Sequence, residues 1–181
     1  MSTEQFRPRS SKTMAIVLYS TAALGLLLIC FSGLVIRDIL LSIPLLLLLG
    51  YCGYWLFWLP TVMVTKDGTT IVNPVRTISV PWQALRSLET KYSMTLLTES
   101  GKYSAWAAPS PGPMSRKSAE TEVVQAVRAS WAAARKENNS APPAGTETPV
   151  GAVVQSRVNW LQLGVALGLI AATAFCFLLV R

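Results

Sequence analysis

Three long apolar runs without a charged residue limit what this chain can fold into. They cover residues 14–36, 39–59 and 158–180, and none of them contains Asp, Glu, Lys or Arg. In a helix, roughly 20 apolar residues at about 1.5 Å each cross a hydrocarbon layer about 30 Å thick. The sequence therefore predicts three transmembrane helices. The first two form a helical hairpin over 14–59, with a tight turn at Arg37 and Asp38.

The distribution of basic residues predicts the orientation in the membrane. Fourteen of the 16 Lys and Arg residues lie in segments 1–13 and 60–157, and basic residues near span ends concentrate on the cytoplasmic side. We therefore expect a multi-pass protein of the plasma membrane, with a cytoplasmic N-terminal arm over 1–13 and residues 60–157 in the cytoplasm. This sorting also accounts for the net charge of +7, so we expect no nucleic-acid partner.

Residues 60–136 predict one small domain rich in β-structure. Short segments of alternating apolar and polar residues, separated by turn residues, predict strands at 61–65, 69–72, 75–80, 85–90, 93–98 and 102–107. Between the first two, Lys66-Asp67-Gly68 is a hairpin signal because Asp and Gly tolerate positive φ. The pattern predicts an antiparallel meander that curls into a sandwich or partial barrel.

An amphipathic helix is predicted after the strands, at residues 118–136. Its apolar stripe consists of Val123, Val124, Val127, Trp131 and Ala134. Such a stripe needs a partner, and the open sheet is the available one. Segment 137–157 is rich in Pro, Ala, Gly, Ser and Thr, which predicts a flexible linker to the third span. The predicted fold class is therefore an α+β membrane protein.

Several short motifs carry a resemblance to a known family. Leu59-Pro60 leaves the predicted membrane, and the motifs that follow are VTKDG at 64–68, IVN at 71–73, RTISVPW at 76–82 and SGK at 100–102. In this pattern the chain resembles the bacterial membrane-anchored pleckstrin-homology (PH-like) proteins. The resemblance implies a PH-like domain over 60–136, with a β-meander or partial barrel closed by one helix.

The resemblance also has two departures. A full PH fold has seven strands, and the sequence predicts six. Family members that bind phosphoinositides carry a Lys…Arg pattern across the first hairpin loop, whereas this loop has Lys66 alone. Because PH-like folds bind lipids, peptides and proteins, the resemblance by itself selects no ligand.

The composition argues against catalysis. The chain has no histidine, which removes the Ser-His-Asp and Cys-His nucleophile systems and the histidine metal sites. Neither common spacing of a Gly-rich phosphate loop occurs. We therefore expect no enzyme activity, no catalytic residue, no cofactor and no metal site.

Binding to lipid or protein is the remaining class of function. Lys66, Arg76 and Lys102 are candidates for contact with anionic lipid headgroups, since basic residues held near a bilayer are attracted to it. The alternative interpretation is an ordinary solvated sheet surface. Similarly, Trp82 and Trp106 either belong to the core or mark an interaction surface.

The third span carries small residues at every fourth position, Gly164, Gly168 and Ala172. Such a stripe lets two helices approach closely. It packs either against the first two spans of the same chain or against a second copy or partner protein.

Together these observations suggest a non-catalytic tether or adaptor whose PH-like domain binds a protein partner or membrane headgroups. The alternative is an accessory or assembly subunit that contacts a membrane complex through the third transmembrane helix.

Overall fold

The computed structural model of the chain describes residues 4–7, 9–33, 35–91, 93–109, 122–140 and 153–180. The α-helices are α1 (Arg9–Phe31), α2 (Ile36–Cys52), α3 (Glu122–Ser140) and α4 (Trp160–Val180). The strands are β1 (Glu4–Phe6), β2 (Thr61–Val64), β3 (Gly68–Val72), β4 (Arg76–Pro81), β5 (Leu85–Glu89), β6 (Ser93–Thr98), β7 (Gly101–Pro109) and β8 (Gln155–Val158). The chain divides into a β-rich unit, Met1–Pro8 with Pro60–Val158, and a helical unit, Arg9–Leu59 with Asn159–Arg181.

The helical unit contains the three predicted spans. Helices long and apolar enough to cross a membrane run over Ser11–Phe31, Ile36–Trp58 and Trp160–Leu179. No more than 11% of the most apolar window of each is buried within the protein, so most residues of these windows keep apolar surface that is available to lipid. The chain is a transmembrane protein, as predicted.

The turn between the first two spans differs from the prediction. Helix α1 ends at Phe31 and α2 begins at Ile36, so Arg37 and Asp38 lie in the first helical turn rather than in the reversal. The chain leaves α1 through Gly33, whose φ of 59° lies in the left-handed region that glycine adopts without strain. An acidic residue in the first turn of a helix is favoured by the helix dipole, which accounts for Asp38.

Small residues line the contacts between the spans. After Cys52, α2 continues as a π-helical segment, Gly53–Trp58, which the sequence did not predict. A Cβ atom added to Gly53 would lie 3.1 Å from the Leu18 Cβ and 3.3 Å from the Tyr19 ring. On the other side of α2, the Tyr51 hydroxyl donates a hydrogen bond of 2.8 Å to the Gln162 carbonyl of α4. Gly53 is therefore needed for close packing of the π-helical segment on α1.

Two antiparallel sheets form the β-rich unit. The first sheet has the strand order β1-β2-β3-β4-β8, and the second has the order β5-β6-β7. Their inner faces share one core with α3, whose members include Val62, Ile71, Val80, Leu96 and Val127. Strands β2 to β7 lie within two residues of their predicted bounds, and the strands of the described residues form two separate sheets rather than a closed barrel. The predicted α+β class with a partial barrel and a closing helix is confirmed.

Two strands of the first sheet lie in segments for which the sequence predicted no strand. Within the arm 1–13, β1 pairs with β2, with Phe6 opposite Val62. Within the linker 137–157, α3 extends to Ser140, and β8 pairs with β4. Both strands are short and mostly exposed, so they lack an apolar alternation. They form because β2 and β4 each offer an open edge of backbone N–H and C=O groups. Residues 118–121 and 141–152 of the predicted helix and linker lie outside the described residues.

The predicted Asp-Gly hairpin forms for a different reason from the one proposed. Gly68 does not have a positive φ; it is the first residue of β3. A Cβ atom there would collide with the Val80 carbonyl oxygen and lie 2.9 Å from the Pro81 Cα. Trp82 then holds the turn, since its backbone N–H donates to the Asp67 carbonyl and its indole N–H to the Thr65 carbonyl, at 3.1 and 3.2 Å. The glycine is required for the close approach of β3 and β4.

Gly68→Ala should destabilise the β-rich unit, because backbone atoms of β4 cannot move aside as a side chain can. We expect the free energy of unfolding to fall by about 2–3 kcal/mol, the upper range for overpacking. Thermal and denaturant unfolding of the purified full chain would measure it. As a control, Gly164→Ala should cause no loss, because a Cβ there would meet no atom within 4 Å. Equal stability of the two variants would contradict this account of the turn.

Candidate functional site

Three strands of the first sheet connect to transmembrane helices at the same end of the sheet. The last residue of β1, Phe6, lies opposite Val62, next to the start of β2. The last residue of β8, Val158, lies opposite Arg76, the first residue of β4. We call this end of the sheet the anchored end; it comprises residues 6–7, 61–62, 72–77 and 157–158.

The connections at the anchored end are short. Arg7 and Pro8 lie between β1 and α1, Leu59 and Pro60 lie between the π-helical segment and β2, and Asn159 alone lies between β8 and α4. An extended residue spans about 3.5 Å, so the end of each of these strands lies within about 10 Å of the transmembrane helix to which it is joined. The sheet is thus attached to three transmembrane helices by almost no free chain.

Arg7 fixes the outermost strand at the anchored end. Its guanidinium group donates hydrogen bonds of 3.3 and 3.4 Å to the hydroxyl oxygen of Thr61. Thr61 is one of the buried polar residues of the chain, and this contact ties the residue after β1 to the first residue of β2. From the sequence, Arg7 was predicted only to belong to the cytoplasmic N-terminal arm over 1–13.

The side chain of Asn73 joins the two sheets. Its amide nitrogen donates a hydrogen bond of 2.8 Å to the Ser104 carbonyl, and its amide oxygen accepts one of 2.8 Å from the Trp106 backbone N–H. The amide therefore pairs with β7 much as a peptide group of a neighbouring strand would. Asn73 lies between two predicted strands, and nothing in the sequence signals its bond to β7.

The two tryptophans that sequence analysis left open have opposite environments. Trp82 is buried, 4% exposed, and belongs to the core. Trp106 is 57% exposed, and the neighbouring β3–β4 turn exposes 44% of Val75. Because Asn73 bonds to the backbone of Trp106, both exposed apolar side chains belong to the part of the unit near the anchored end.

The predicted headgroup-contact residues are exposed but not gathered in one cluster. Arg76 lies at the anchored end, whereas Lys66 lies in the β2–β3 turn at the opposite end of the same sheet. The five-residue strand β3 separates these ends by roughly 13 Å or more. Lys102 lies in the second sheet, opposite Leu97. Arg157 of β8, one position from the Arg76–Val158 pair, was not predicted as a candidate.

A groove runs between α3 and the 3₁₀ turn Trp82–Ala84 with the start of β5. Its volume is about 400 Å³, and its lining is Trp82, Gln83, Leu85, Arg86, Trp131, Ala134 and Arg135. The Arg135 guanidinium carbon lies 6.0 Å from the centre of the Trp131 ring, a cation–π arrangement. Arg86 pairs with Glu99 across the strands. The groove therefore presents the Arg135 guanidinium and the Glu99-paired Arg86 beside the Trp131 ring.

A second cavity of about 360 Å³ lies on the other flank of α3. Its lining is Glu4, Val64, Thr65, Lys66, Ser130, Ala133, Ala134 and Glu137. Two carboxylates oppose the single ammonium group of Lys66, so this cavity lacks the cationic character of the groove. Among the described residues, no three or more His, Cys, Asp or Glu side chains lie close enough to hold a metal ion.

The small residues of the third span point away from the other spans. Gly164, Gly168 and Ala172 are exposed, and a Cβ atom added to either glycine would meet nothing within 4 Å. Ala166, 3% exposed, is the small residue of α4 that is buried. The described part of α4 contacts α2 through a different face, and the use of the stripe as a helix-packing face stays a prediction.

Comparison with known proteins identifies the family. The bacterial PH domain family matches residues 59–153, just over half of the chain. The match includes the membrane exit at Leu59 and all strands from β2 to β7. The chain belongs to this family, and the predicted bacterial PH-like domain with apolar membrane helices is confirmed. No match to a curated protein or to a solved structure reaches significance.

Asn73→Ala should loosen the junction between the two sheets, because it removes both amide hydrogen bonds. We expect a loss of about 1–3 kcal/mol in the free energy of unfolding and faster hydrogen exchange at the Trp106 amide. Asn73→Asp is the matched variant; it keeps the acceptor for Trp106 and replaces the donor to Ser104 with a carboxylate oxygen that faces the Ser104 carbonyl. Unchanged exchange at Trp106 in Asn73→Ala would contradict the role of the amide.

Proposed function

We propose that this protein is a non-catalytic membrane tether or adaptor, whose PH-like domain binds a protein partner or membrane headgroups. The observation that carries the proposal is the attachment of one sheet to three transmembrane helices through connections of two, two and one residues. Such short connections suit a domain that is held at one position over the membrane.

The proposed location is the cytoplasmic face of the plasma membrane of a bacterium. The support is the basic content of segments 1–13 and 60–157, which follows the positive-inside rule. The pairing of β1 with β2 adds a further constraint, since it requires the N-terminal segment and the PH-like domain to be on the same side.

The groove beside α3 is the proposed surface for a protein partner. Arg135 and the Trp131 ring suit an acidic segment that also carries an apolar side chain. Headgroup contact by Lys66, Arg76 and Lys102 is the alternative use of the domain. Of these three residues, Arg76 has the strongest support, because it lies at the anchored end.

An accessory subunit that contacts a membrane complex through α4 is the second candidate function. The open space around Gly164 and Gly168 favours it, since another helix could approach the backbone closely there. A second copy of the chain and a different membrane protein would use this face in the same way.

Sidedness is tested by cysteine labelling in a chain whose Cys30, Cys52 and Cys176 are replaced by Ala. In spheroplasts, Asp67→Cys should react with a membrane-impermeant maleimide only after lysis. Ser32→Cys, in the exposed α1–α2 connection, should react before lysis because it is on the other side. Reaction of Asp67→Cys in intact spheroplasts would overturn the cytoplasmic assignment.

The two candidate functions are separated by a photo-crosslinking amino acid placed at single positions of the full chain. A groove that binds a protein should give a crosslinked product from position 135. Position 128, on the exposed side of the same helix, is the matched control and should give none. A product from position 168 alone would favour the accessory subunit. Absence of any product at 135 in native membranes would count against the adaptor.

A further inference from the structure

The anchored end combines features that the proposed function does not use. It contains the exposed side chains of Val75 and Arg76 in and after the β3–β4 turn, and that of Arg157 on β8, which pairs with Thr77 and so lies on the opposite face of the sheet from Arg76. Trp106 is held next to this turn by Asn73. Two apolar and two cationic side chains thus lie at the end of the sheet where the chain enters and leaves the membrane, with the two arginines on opposite faces of the sheet.

The length of the connections limits how far these side chains are from lipid. The strand ends lie within about 10 Å of the helix ends. The headgroup layer on each side of the hydrocarbon core is itself about 5–8 Å thick. With the helix ends at the hydrocarbon boundary, the anchored end cannot be far outside the headgroups of that leaflet.

The chemistry of the exposed groups matches this layer. Tryptophan is enriched at membrane interfaces because its ring is apolar and its N–H is polar. Guanidinium groups bind phosphate oxygens in a bidentate manner. While they are exposed to water, the Val75 and Trp106 side chains contribute no hydrophobic stabilisation. Among lipid headgroups their apolar surface would be removed from water, and the arginines would contact phosphate groups.

The geometry points to a bilayer-docking surface formed by Val75, Arg76, Trp106 and Arg157. Through it, the anchored end of the PH-like domain sits on the headgroups of the leaflet that its own helices cross. Val75 and Trp106 insert at the interface, and Arg76 and Arg157 contact phosphate groups of anionic lipids. This docking surface adds a lipid contact to the proposed tether function, and it rests on that function only for the attachment of the domain to the membrane. The docking surface does not include Lys66, because the β2–β3 turn lies at the other end of the sheet.

Depth measurements on the full chain in lipid nanodiscs test the surface. In the chain lacking native cysteines, a fluorophore is attached at Val75→Cys or, as control, at Lys66→Cys. With brominated lipids, we expect quenching at position 75 at least twofold stronger than at position 66, in variants whose thermal unfolding matches that of the parent. Equal quenching would overturn the surface. Protection of position 75 from water without lipid quenching would also overturn it, since a protein would then cover the site.

Charge substitutions test the role of the arginines. The pair Arg76→Glu and Arg157→Glu should reduce quenching at position 75 in nanodiscs containing phosphatidylglycerol and leave it unchanged in pure phosphatidylcholine. The pair Lys66→Glu and Arg135→Glu changes the net charge equally and should have no effect. An equal effect of both pairs would overturn the specific contact. Because sidedness is measured separately at Asp67, failure of the docking surface and failure of the proposed orientation give different results.

Discussion

The backbone hydrogen-bond ladder of the first sheet is the constraint on which the rest of the structure depends. Its register brings the end of β1, the start of β2 and the end of β8 to the same end of the sheet. Each of these strands is joined to a transmembrane helix by a connection of no more than two residues. The ladder also closes the outer edges of β2 and β4, which would otherwise be open to pairing with other chains. Residues next to the membrane therefore complete the PH-like domain, and the domain and the spans are coupled through the same short segments.

The register also gives the domain two different ends. At one end are the connections to the membrane, the Arg7–Thr61 contact and the Asn73 bridge between the sheets. At the other end are the β2–β3 turn and Trp82, since Gly68 lies opposite Pro81. The groove beside α3 begins at Trp82. A tether built in this way would hold one end at the bilayer and leave the other available to a partner, which agrees with the functional proposal.

The candidate site could be predicted from the sequence only in part. The basic residues were found from charge alone, but charge does not indicate which of them share an end of the sheet. Lys66 and Arg76 are ten residues apart in sequence and lie at opposite ends, whereas Arg76 and Arg157 are distant in sequence and lie on neighbouring strands. The tryptophans show the same limit. Trp82 and Trp106 both lie in or next to a strand, and only the hydrogen bonds of Trp82 to the turn distinguish the buried ring from the exposed one.

Local patterns in the sequence by themselves determined the three spans, strands β2 to β7, the amphipathic helix and the PH-like class. Each of these follows from a period of hydrophobicity or from a motif that acts within a few residues. Only the tertiary structure decided that β1 and β8 join the sheet, that the hairpin reverses at Gly33, and that the glycines of α4 face outward. The physical reason is that these features depend on partners far along the chain. A three-residue polar strand is stable only on an existing edge, and the exposed face of a uniformly apolar helix is defined only by the helix that packs against its other side.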